Sequence, residues 1–339
     1  MIWPGRLSNR VPPLKLPRCF TGFAKLMIWI LLGLAACAAA LWVYNFMEGQ
    51  TLLRDCVDEA RLARADIAAL DAAWAAAPAR SPCVVSLTSL PSRLPHIAAT
   101  LKSLLRQNRL PARIRLNLPA VSRREQTAYV IPAWLKDLQS VEIVPCEDLG
   151  PATKLIPSLS LPPDTMIVVV DDDRLYPANL IADLEAAAQR NPNAAFAFSG
   201  WVAPPDLTDR PTTILSNINM TPPVPVRARR LRRPRAVDMV QGLSGYLVRP
   251  RFFDPATLSD YTNAPQAAFF VDDVWISAHC SAPKFVIPAS RAGFPGRARK
   301  DLYKATSLGR VNRGGGDVNK RNNTIMLRHF AGRWTVGGV

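Results

Sequence analysis

Three adjacent aspartates, Asp171, Asp172 and Asp173, are the residues of this chain whose types and spacing point most directly to chemistry. They follow residues 166–170, an apolar run that predicts a buried strand. Adjacent carboxylates beside a low-dielectric wall repel one another, and a cation relieves that repulsion. Mg²⁺ and Mn²⁺ prefer oxygen ligands and often combine one or two carboxylates with phosphate oxygens. The run therefore predicts a metal site completed by a phosphorylated substrate; the alternative is a solvated acidic turn.

A second carboxylate pair, Asp272 and Asp273, lies about a hundred residues later between apolar residues. Acids that complement the dipole at a helix N-terminus are its ordinary explanation. General-base catalysis is the functional explanation. His329 is one of three histidines; a lone histidine is more often structural, but near a metal it would be a further ligand.

Apolar runs alternate with helical patterns from residue 83 onward, which predicts the elements that position these residues. A helix capped by Ser92 follows the first predicted strand, and another is predicted to run from Pro177 to about Arg190. Strands alternating with helices predict a mostly parallel sheet with helices on both faces. Such sheets bind ligands at the carboxyl ends of their strands, where the three aspartates fall. Strands are predicted at residues 83–88, 113–119, 141–145, 166–170, 194–200, 245–248 and 284–288.

Residues 26–47 carry no charge and are long enough to cross a bilayer as one helix. A cleaved signal peptide is the main alternative, but about 25 residues precede the run, which favours an uncleaved signal-anchor. Before the run the charges are all basic, and acids follow it. This asymmetry predicts a cytoplasmic N-terminus with the large domain on the other side of the membrane.

The predicted organisation has four parts: a cytoplasmic tail (1–25), a transmembrane helix (26–47), a helical stem (48–82) and a catalytic domain (83–339). Within the domain, residues 83–200 are the predicted nucleotide-sugar half and 201–339 the acceptor half with a mobile tail. The apolar stripe on the stem is compatible with a homodimer through the stem, but it is too weak to predict a coiled coil. Four cysteines beyond the span would allow two disulfides in an oxidising compartment, with no pairing specified.

The net charge of +16 favours phosphate-bearing or acidic partners, or a membrane surface. Six arginines cluster in a proline-rich region. The favoured explanation is a solvated loop. The alternatives are that the cluster closes over a diphosphate, or that it contacts an anionic acceptor or lipid headgroups. The cluster lacks interleaved aromatic residues, so no nucleic-acid partner is predicted. Its members are Arg227, Arg229, Arg230, Arg232, Arg233 and Arg235.

The order of these motifs resembles the GT-A class of glycosyltransferases, and the opening of the domain resembles family-two-like members. The resemblance covers residues 83–290 and rests on the three aspartates as a DXD motif, a Gly-rich turn at residues 241–245 and an "xED" motif at residues 271–273. This sequence has Asp272 where that motif usually has Glu. The resemblance implies a GT-A, Rossmann-like fold.

The same resemblance implies a role for each site residue. Asp173 would bind Mn²⁺ or Mg²⁺ directly, Asp171 and Asp172 would contact the donor ribose or the water shell of the metal, and His329 would be a further ligand. Asp273, next to Asp272, would be the base that deprotonates the acceptor. The remaining donor-binding residues would be Thr88, Ser89, Arg93, Lys154, Gly242 and Gly245.

The function predicted is transfer of a sugar from a UDP- or GDP-linked donor to a hydroxyl of a glycan, lipid or protein, with inversion. In a eukaryote this topology places the domain in the lumen of the Golgi or endoplasmic reticulum. In a bacterium, either the topology or the donor would need revision, because nucleotide sugars are cytosolic.

Two other functions remain open. A phosphatase of the haloacid dehalogenase type also has DxD after an apolar strand, with Asp171 as nucleophile and Asp173 as acid. Against it, that motif usually lies near the start of the domain, and Leu175 stands where Thr or Val is expected. The other is a non-catalytic membrane scaffold with a degenerate transferase fold.

Overall fold

The structure is a computed structural model that describes residues 18–337, with side chains described for 22–309 and 311–337. Most of the predicted cytoplasmic tail lies outside these residues. The chain divides into two compact units at Met47, and the second unit holds every strand. One helix, Gly22–Glu48, begins in the first unit and ends in the second, and it is long and apolar enough to cross a membrane. Length and composition alone give that result, which a signal sequence would also satisfy.

An eight-stranded sheet forms the centre of the second unit, in the order β6-β8-β5-β7-β4-β1-β2-β3. Six strands run in one direction, and only β6 and β7 run in the opposite direction. The predicted mixed α/β class with a mostly parallel sheet is confirmed. In chain order, β1 to β8 are Val84–Leu87, Arg113–Pro119, Val141–Cys146, Ile167–Val169, Ala195–Ala197, Arg235–Val237, Tyr246–Val248 and Lys284–Val286.

Smaller strand pairs and eleven of the twelve described α-helices lie in the second unit with this sheet. Two short strands within residues 121–128 pair with each other, and residues 174–175 pair with 294–295. The strand Ser199–Trp201 lies between Val226–Arg227 and Met239–Val240 and pairs with both. In chain order, α1 to α12 are Arg18–Glu48, Leu52–Arg64, Ile67–Ala76, Ala98–Leu105, Ala133–Lys136, Leu180–Arg190, Ile214–Asn219, Pro255–Ser259, Asp272–His279, Lys300–Ala305, Leu308–Val311 and Asn322–His329.

Both faces of the sheet are buried, which explains why the sequence of β4 is apolar throughout. Val168 packs into one core with α4 and α6, whereas Ile167 and Val169 pack into a second core with α9 and α12. Successive side chains of a strand point to opposite faces, so a strand covered on both sides needs apolar residues at every position.

Ser92 does not cap the helix that follows it, contrary to the prediction. Its hydroxyl donates to Glu125 Oε1 at 2.6 Å, and the chain instead forms a 3₁₀ turn, Leu94–His96, before α4 begins at Ala98. Pro95 lies within that turn. The Ser92 hydroxyl, which local spacing predicted to cap a helix, is therefore bonded instead to the carboxylate of Glu125, a residue distant in the chain.

The segment predicted as a stem is helical, but its two helices pack on the domain. The Trp74 indole N–H donates to Pro111 O at 2.8 Å, and Trp74 belongs to the first core. Buried Asp71 accepts from the backbone N–H groups of Gln139 and Ser140 at 2.9 and 2.8 Å. In α2, Asp55 pairs with Arg291 at 2.7 Å. These partners lie far along the chain, where a local helical pattern cannot reveal them.

Replacing Asp71 with alanine is expected to lower the free energy of unfolding by about 1–3 kcal/mol, because the buried Ser140 N–H and the half-buried Gln139 N–H lose their acceptor. Chemical denaturation of the full chain measures this change. Asp137→Ala, at an exposed aspartate nearby, is the matched control and should change the free energy little. Equal effects of the two variants would contradict the packing of α3 on the domain.

Candidate active site

A cleft of about 460 Å³ lies beyond the carboxyl ends of β1 and β4. This is the edge of a parallel sheet at which ligands are expected to bind. The aspartates at 171–173 and those at 272–273 both line the cleft, although about a hundred residues separate the two sets in the chain. Its polar lining includes Thr88, Ser89, Arg93, Arg124, Lys154, Asp171, Asp172, Asp173, Gln241, Asp272 and Asp273.

Lys154 lies at the centre of one carboxylate cluster. Its ammonium nitrogen is 2.7 Å from Asp171 Oδ1 and 2.6 Å from Asp272 Oδ2. Asp273 Oδ1 is further away, at 3.9 Å. The buried ammonium of Lys154 therefore compensates carboxylates from both sets of aspartates, 171–173 and 272–273. It also joins the end of β4 to the start of α9.

Buried polar residues of the strands hold the backbone that carries Lys154. This residue ends a 3₁₀ turn, Gly150–Lys154, whose carbonyls face the sheet. The Ser86 hydroxyl donates to Lys154 O at 2.6 Å, and the Asn117 amide donates to Thr153 O at 3.0 Å. A polar side chain inside a strand is costly unless it is bonded in this way. Ser86 and Asn117 therefore fix the position of the lysine relative to the sheet.

Arg93 forms the second ion-pair cluster. Its Nη1 is 2.8 Å from Asp172 Oδ1 and 3.4 Å from Asp173 Oδ2. The same guanidinium donates from Nε to the Thr306 hydroxyl at 2.8 Å and from Nη2 to Thr306 O at 3.1 Å. Arg93 thus connects the acidic turn with the segment that follows α10.

The glycine of the turn before β7 is required by close contacts. A side chain at Gly242 would place its Cβ 2.4 Å from Lys154 Nζ and 2.6 Å from Asp171 Oδ1. The Gly242 N–H donates to Asp273 Oδ1 at 3.1 Å. Tyr176 joins the same turn to the aspartates, because its hydroxyl accepts from the Asp171 N–H at 2.7 Å and lies 3.3 Å from Gly242 O.

Burial and mutual repulsion set the protonation of these groups. Burial, together with the charge of Asp272, raises the pKa of Asp273 to about 8, although Lys154 opposes the shift. Burial disfavours the charge of Lys154, but Asp171, Asp272 and Asp273 raise its pKa well above the usual value. At neutral pH the cluster therefore contains a charged lysine and a carboxyl group close to its titration point.

The carboxylates do not fit a divalent metal in this arrangement. Mg²⁺ and Mn²⁺ need several oxygens that converge on one point. Here Lys154 fills the space between Asp171 and Asp272, and Arg93 contacts both Asp172 and Asp173. Across residues 18–337, no three or more His, Cys, Asp or Glu side chains group around a common metal position. The requirement for Mn²⁺ or Mg²⁺ stays a prediction.

Four other predicted residues have different placements. Thr88 lines the cleft and donates to Asn117 O at 2.8 Å, while Ser89 donates to Asp172 Oδ2 at 2.6 Å. Gly245, with φ +85°, packs against Leu180 rather than lining the cleft. His329 is exposed at the end of α12 and does not line the cleft either. The structure therefore does not bring His329 to the carboxylates.

Several residues of the site were not predicted from the sequence. The Arg124 guanidinium lines the cleft and donates to Thr306 O at 2.5 Å, and Arg93 lies over the Tyr303 ring at 5.4 Å. Local sequence held no signal for Arg124, Tyr303 or Thr306, because the fold alone joins their segments. Polar Ser86 and Asn117 within apolar strands were a usable signal.

The cysteines of the domain are free thiols. Cys56, Cys83, Cys146 and Cys280 are all unpaired, as is Cys37 in the first unit. Cys83 and Cys280 are buried. The described cysteines therefore form no disulfide.

No family model matches this chain, and no curated protein matches it. Among solved structures, 147 chains match. S. aureus TarS 1-349 is 13% identical, with a TM-score of 0.42 over 74% of this chain and 71% of that one. TarS 1-349 in complex with UDP is 12% identical over the same shares, with a TM-score of 0.39. A further structure of S. aureus TarS is 12% identical, with a TM-score of 0.38, and this chain covers 43% of it.

Proposed function

We propose that this protein is a membrane-anchored glycosyltransferase that moves a sugar from a nucleotide-sugar donor to an acceptor hydroxyl. The proposal rests on one observation. Asp171 and Asp272, about a hundred residues apart in the chain, both pair with Lys154 in a cleft at the carboxyl edge of the sheet. One of these carboxylates, Asp273, has its pKa raised to about 8. The proposed donor-binding residues and the proposed base would thus share one cavity.

The donor diphosphate would lie against the cationic side chains of the cleft. Lys154, Arg93 and Arg124 all line it, and each is buried or half-buried. Cations in a site shielded from water stabilise developing phosphate charge better than exposed cations do. Lys154 and Arg93, which already pair with the aspartates, would offset charge on the departing nucleoside diphosphate. Thr88 and Ser89, at the end of β1, would lie beside the nucleoside.

Asp273 is the proposed general base. A base works best when its pKa is near the working pH, since it must be deprotonated yet still attract a proton. Asp273 meets this condition and is 29% exposed in its side chain, so an acceptor hydroxyl can reach it. The acceptor oxygen, as it loses its proton to Asp273, bonds to the sugar carbon while the bond to the diphosphate breaks. One displacement of this kind inverts the anomeric centre.

A screen of nucleotide sugars against the full-length chain in detergent tests the function. We expect one UDP- or GDP-linked donor to be cleaved to the free nucleoside diphosphate, measured by chromatography, and an acceptor hydroxyl to speed its release. Parallel reactions with EDTA, Mn²⁺ or Mg²⁺ test the metal requirement. Asp137→Ala should cleave the donor as the unaltered chain does.

Two outcomes would contradict the proposal. Formation of a phosphoenzyme at Asp171 without any nucleotide sugar would instead support the phosphatase. Failure to bind any nucleotide, in the presence or absence of metal, would support the non-catalytic scaffold.

A further inference from the structure

A second cavity, of about 470 Å³, adjoins the cleft. Four residues line both spaces, which therefore meet beside the acidic turn: Asp173, Arg174, Ser307 and Gly309. We call the second cavity the basic pocket, because four basic side chains line it and Asp173 supplies the one carboxylate among its described lining residues. The basic side chains are those of Arg174, Lys300, Lys304 and Arg313. A cavity with this excess of positive charge favours an anionic ligand.

Carboxylates of the protein compensate little of the charge in the basic pocket. Asp173 Oδ1 is 3.6 Å from Arg174 Nε, but Asp173 is shared with Arg93 of the cleft. No described carboxylate forms an ion pair with Lys300, Lys304 or Arg313. Three of the four basic side chains are therefore available to an anion that enters from outside.

The two lysines of the basic pocket are placed where they repel each other. Lys300 and Lys304 are four residues apart in α10, so their side chains lie on the same face, and like charges at this spacing destabilise a helix. α10 has six residues and buries none of them, so burial of its own side chains does not offset the repulsion. An anion bound between the two ammonium groups would relieve it through charge-assisted hydrogen bonds.

Contacts on both sides of α10 hold this helix beside the cleft. Before the helix, Glu59 of α2 accepts from the backbone N–H groups of Arg297 and Ala298 at 2.5 and 2.9 Å. After it, the Arg93 guanidinium donates to Thr306 O at 3.1 Å. The predicted stem and the candidate active site therefore both fix the position of the two lysines.

We propose that the basic pocket binds a phosphate group carried by the sugar acceptor, an inference that rests on the proposed transferase function. The donor diphosphate is assigned to Lys154, Arg93 and Arg124, which leaves the basic pocket to the other substrate. Several cations suit the charge of about −1.5 to −2 on a phosphate monoester better than the single charge of a carboxylate. A volume of about 470 Å³ accommodates the phosphate with the group that carries it. The acceptor then extends past Asp173 into the cleft that contains Asp273.

Calorimetric titration of the full-length chain in neutral detergent tests the basic pocket, at constant ionic strength and with UDP or GDP in excess to occupy the cleft. The probe is glucose 6-phosphate, which we expect to bind, whereas neutral glucose should not. Lys300→Gln with Lys304→Gln should weaken probe binding by about tenfold, because two charged contacts are lost. Lys300→Arg with Lys304→Arg should retain it. Arg106→Gln with Lys136→Gln removes the same charge at exposed positions outside both cavities and should weaken binding by less than about twofold.

Each other outcome overturns the assignment. Equal losses in the two glutamine variants would mean that net charge alone attracts the probe. Binding of inorganic phosphate without glucose 6-phosphate would assign the basic pocket to a free ion. Loss of donor affinity in the Lys300→Gln, Lys304→Gln variant would assign it to the donor sugar. Donor cleavage without lysine-dependent probe binding would refute the basic pocket alone. Lysine-dependent probe binding without any donor cleavage would refute the transferase, and the acceptor with it, but keep an anion site.

Discussion

Asp273→Asn is expected to lower the rate of sugar transfer by about 10²–10⁴-fold, the usual contribution of a general base. Asparagine keeps an oxygen that can accept from the Gly242 N–H, which is 3.1 Å from Asp273 Oδ1, so the turn should keep its shape. Donor affinity should change by less than about twofold, because the diphosphate is bound by other residues. Steady-state kinetics and calorimetric titration of the donor measure the two effects separately.

The pH dependence separates a base from a residue that only supports the site. The unaltered protein should be slow at acidic pH, speed up through an apparent pKa of about 8 and level off above it, because only the deprotonated carboxylate accepts a proton. The residual activity of Asp273→Asn should lose this inflection. An unchanged inflection in the variant, or a loss of donor binding equal to the loss of rate, would contradict the assignment.

Lys154→Met is expected to abolish donor binding and to lower the free energy of unfolding by about 3–5 kcal/mol, as loss of one partner from a buried ion pair does. Methionine matches the lysine side chain as far as Cε but lacks the terminal ammonium, which leaves Asp171 and Asp272 without the cation that lies 2.7 and 2.6 Å from them. Denaturant unfolding and nucleotide titration measure these effects. Lys136→Met, at an exposed lysine, is the matched control.

A divalent cation should partly replace the missing ammonium in Lys154→Met. With the lysine charge removed, Asp171, Asp272 and Asp273 surround an uncompensated space, so Mg²⁺ or Mn²⁺ should raise the melting temperature of the variant. The unaltered protein, without nucleotide, should respond much less. A large metal-induced rise in the unaltered protein would show that a metal binds despite Lys154 and would support the original metal prediction.

Seven of the eight strands of the sheet were predictable from sequence, because the information that specifies them is local. The edge strand β6 was not predicted, and Arg235, which was assigned to a solvated loop, lies in it. The run at residues 113–119 matches β2 at both ends, and the run at 166–170 contains β4. Each run is apolar because both faces of the sheet are covered, and its ends carry polar or proline residues. The position of Asp171 beyond β4 follows from that strand alone.

The partners of the aspartates could not be predicted in the same way. Lys154 was expected to meet base or phosphate, and Arg93 to lie against the nucleotide; in the structure both compensate carboxylates. Nothing in the sequence around Asp171 or Asp172 indicates which cation the fold will bring to each. The packing of the stem on the domain could not be predicted for a related reason, since Asp71 and Trp74 have partners at residues 111–140.

The packing of α2 and α3 on the domain leaves a short connection between the domain and the apolar helix. Only Gly49, Gln50 and Thr51 separate the end of the apolar helix from α2. Three residues span at most about 11 Å when fully extended. If the protein is anchored and active as proposed, it would therefore remain near the bilayer and search for acceptors in two dimensions. Acceptors that are themselves held at the membrane would meet the cleft far more often than those in free solution.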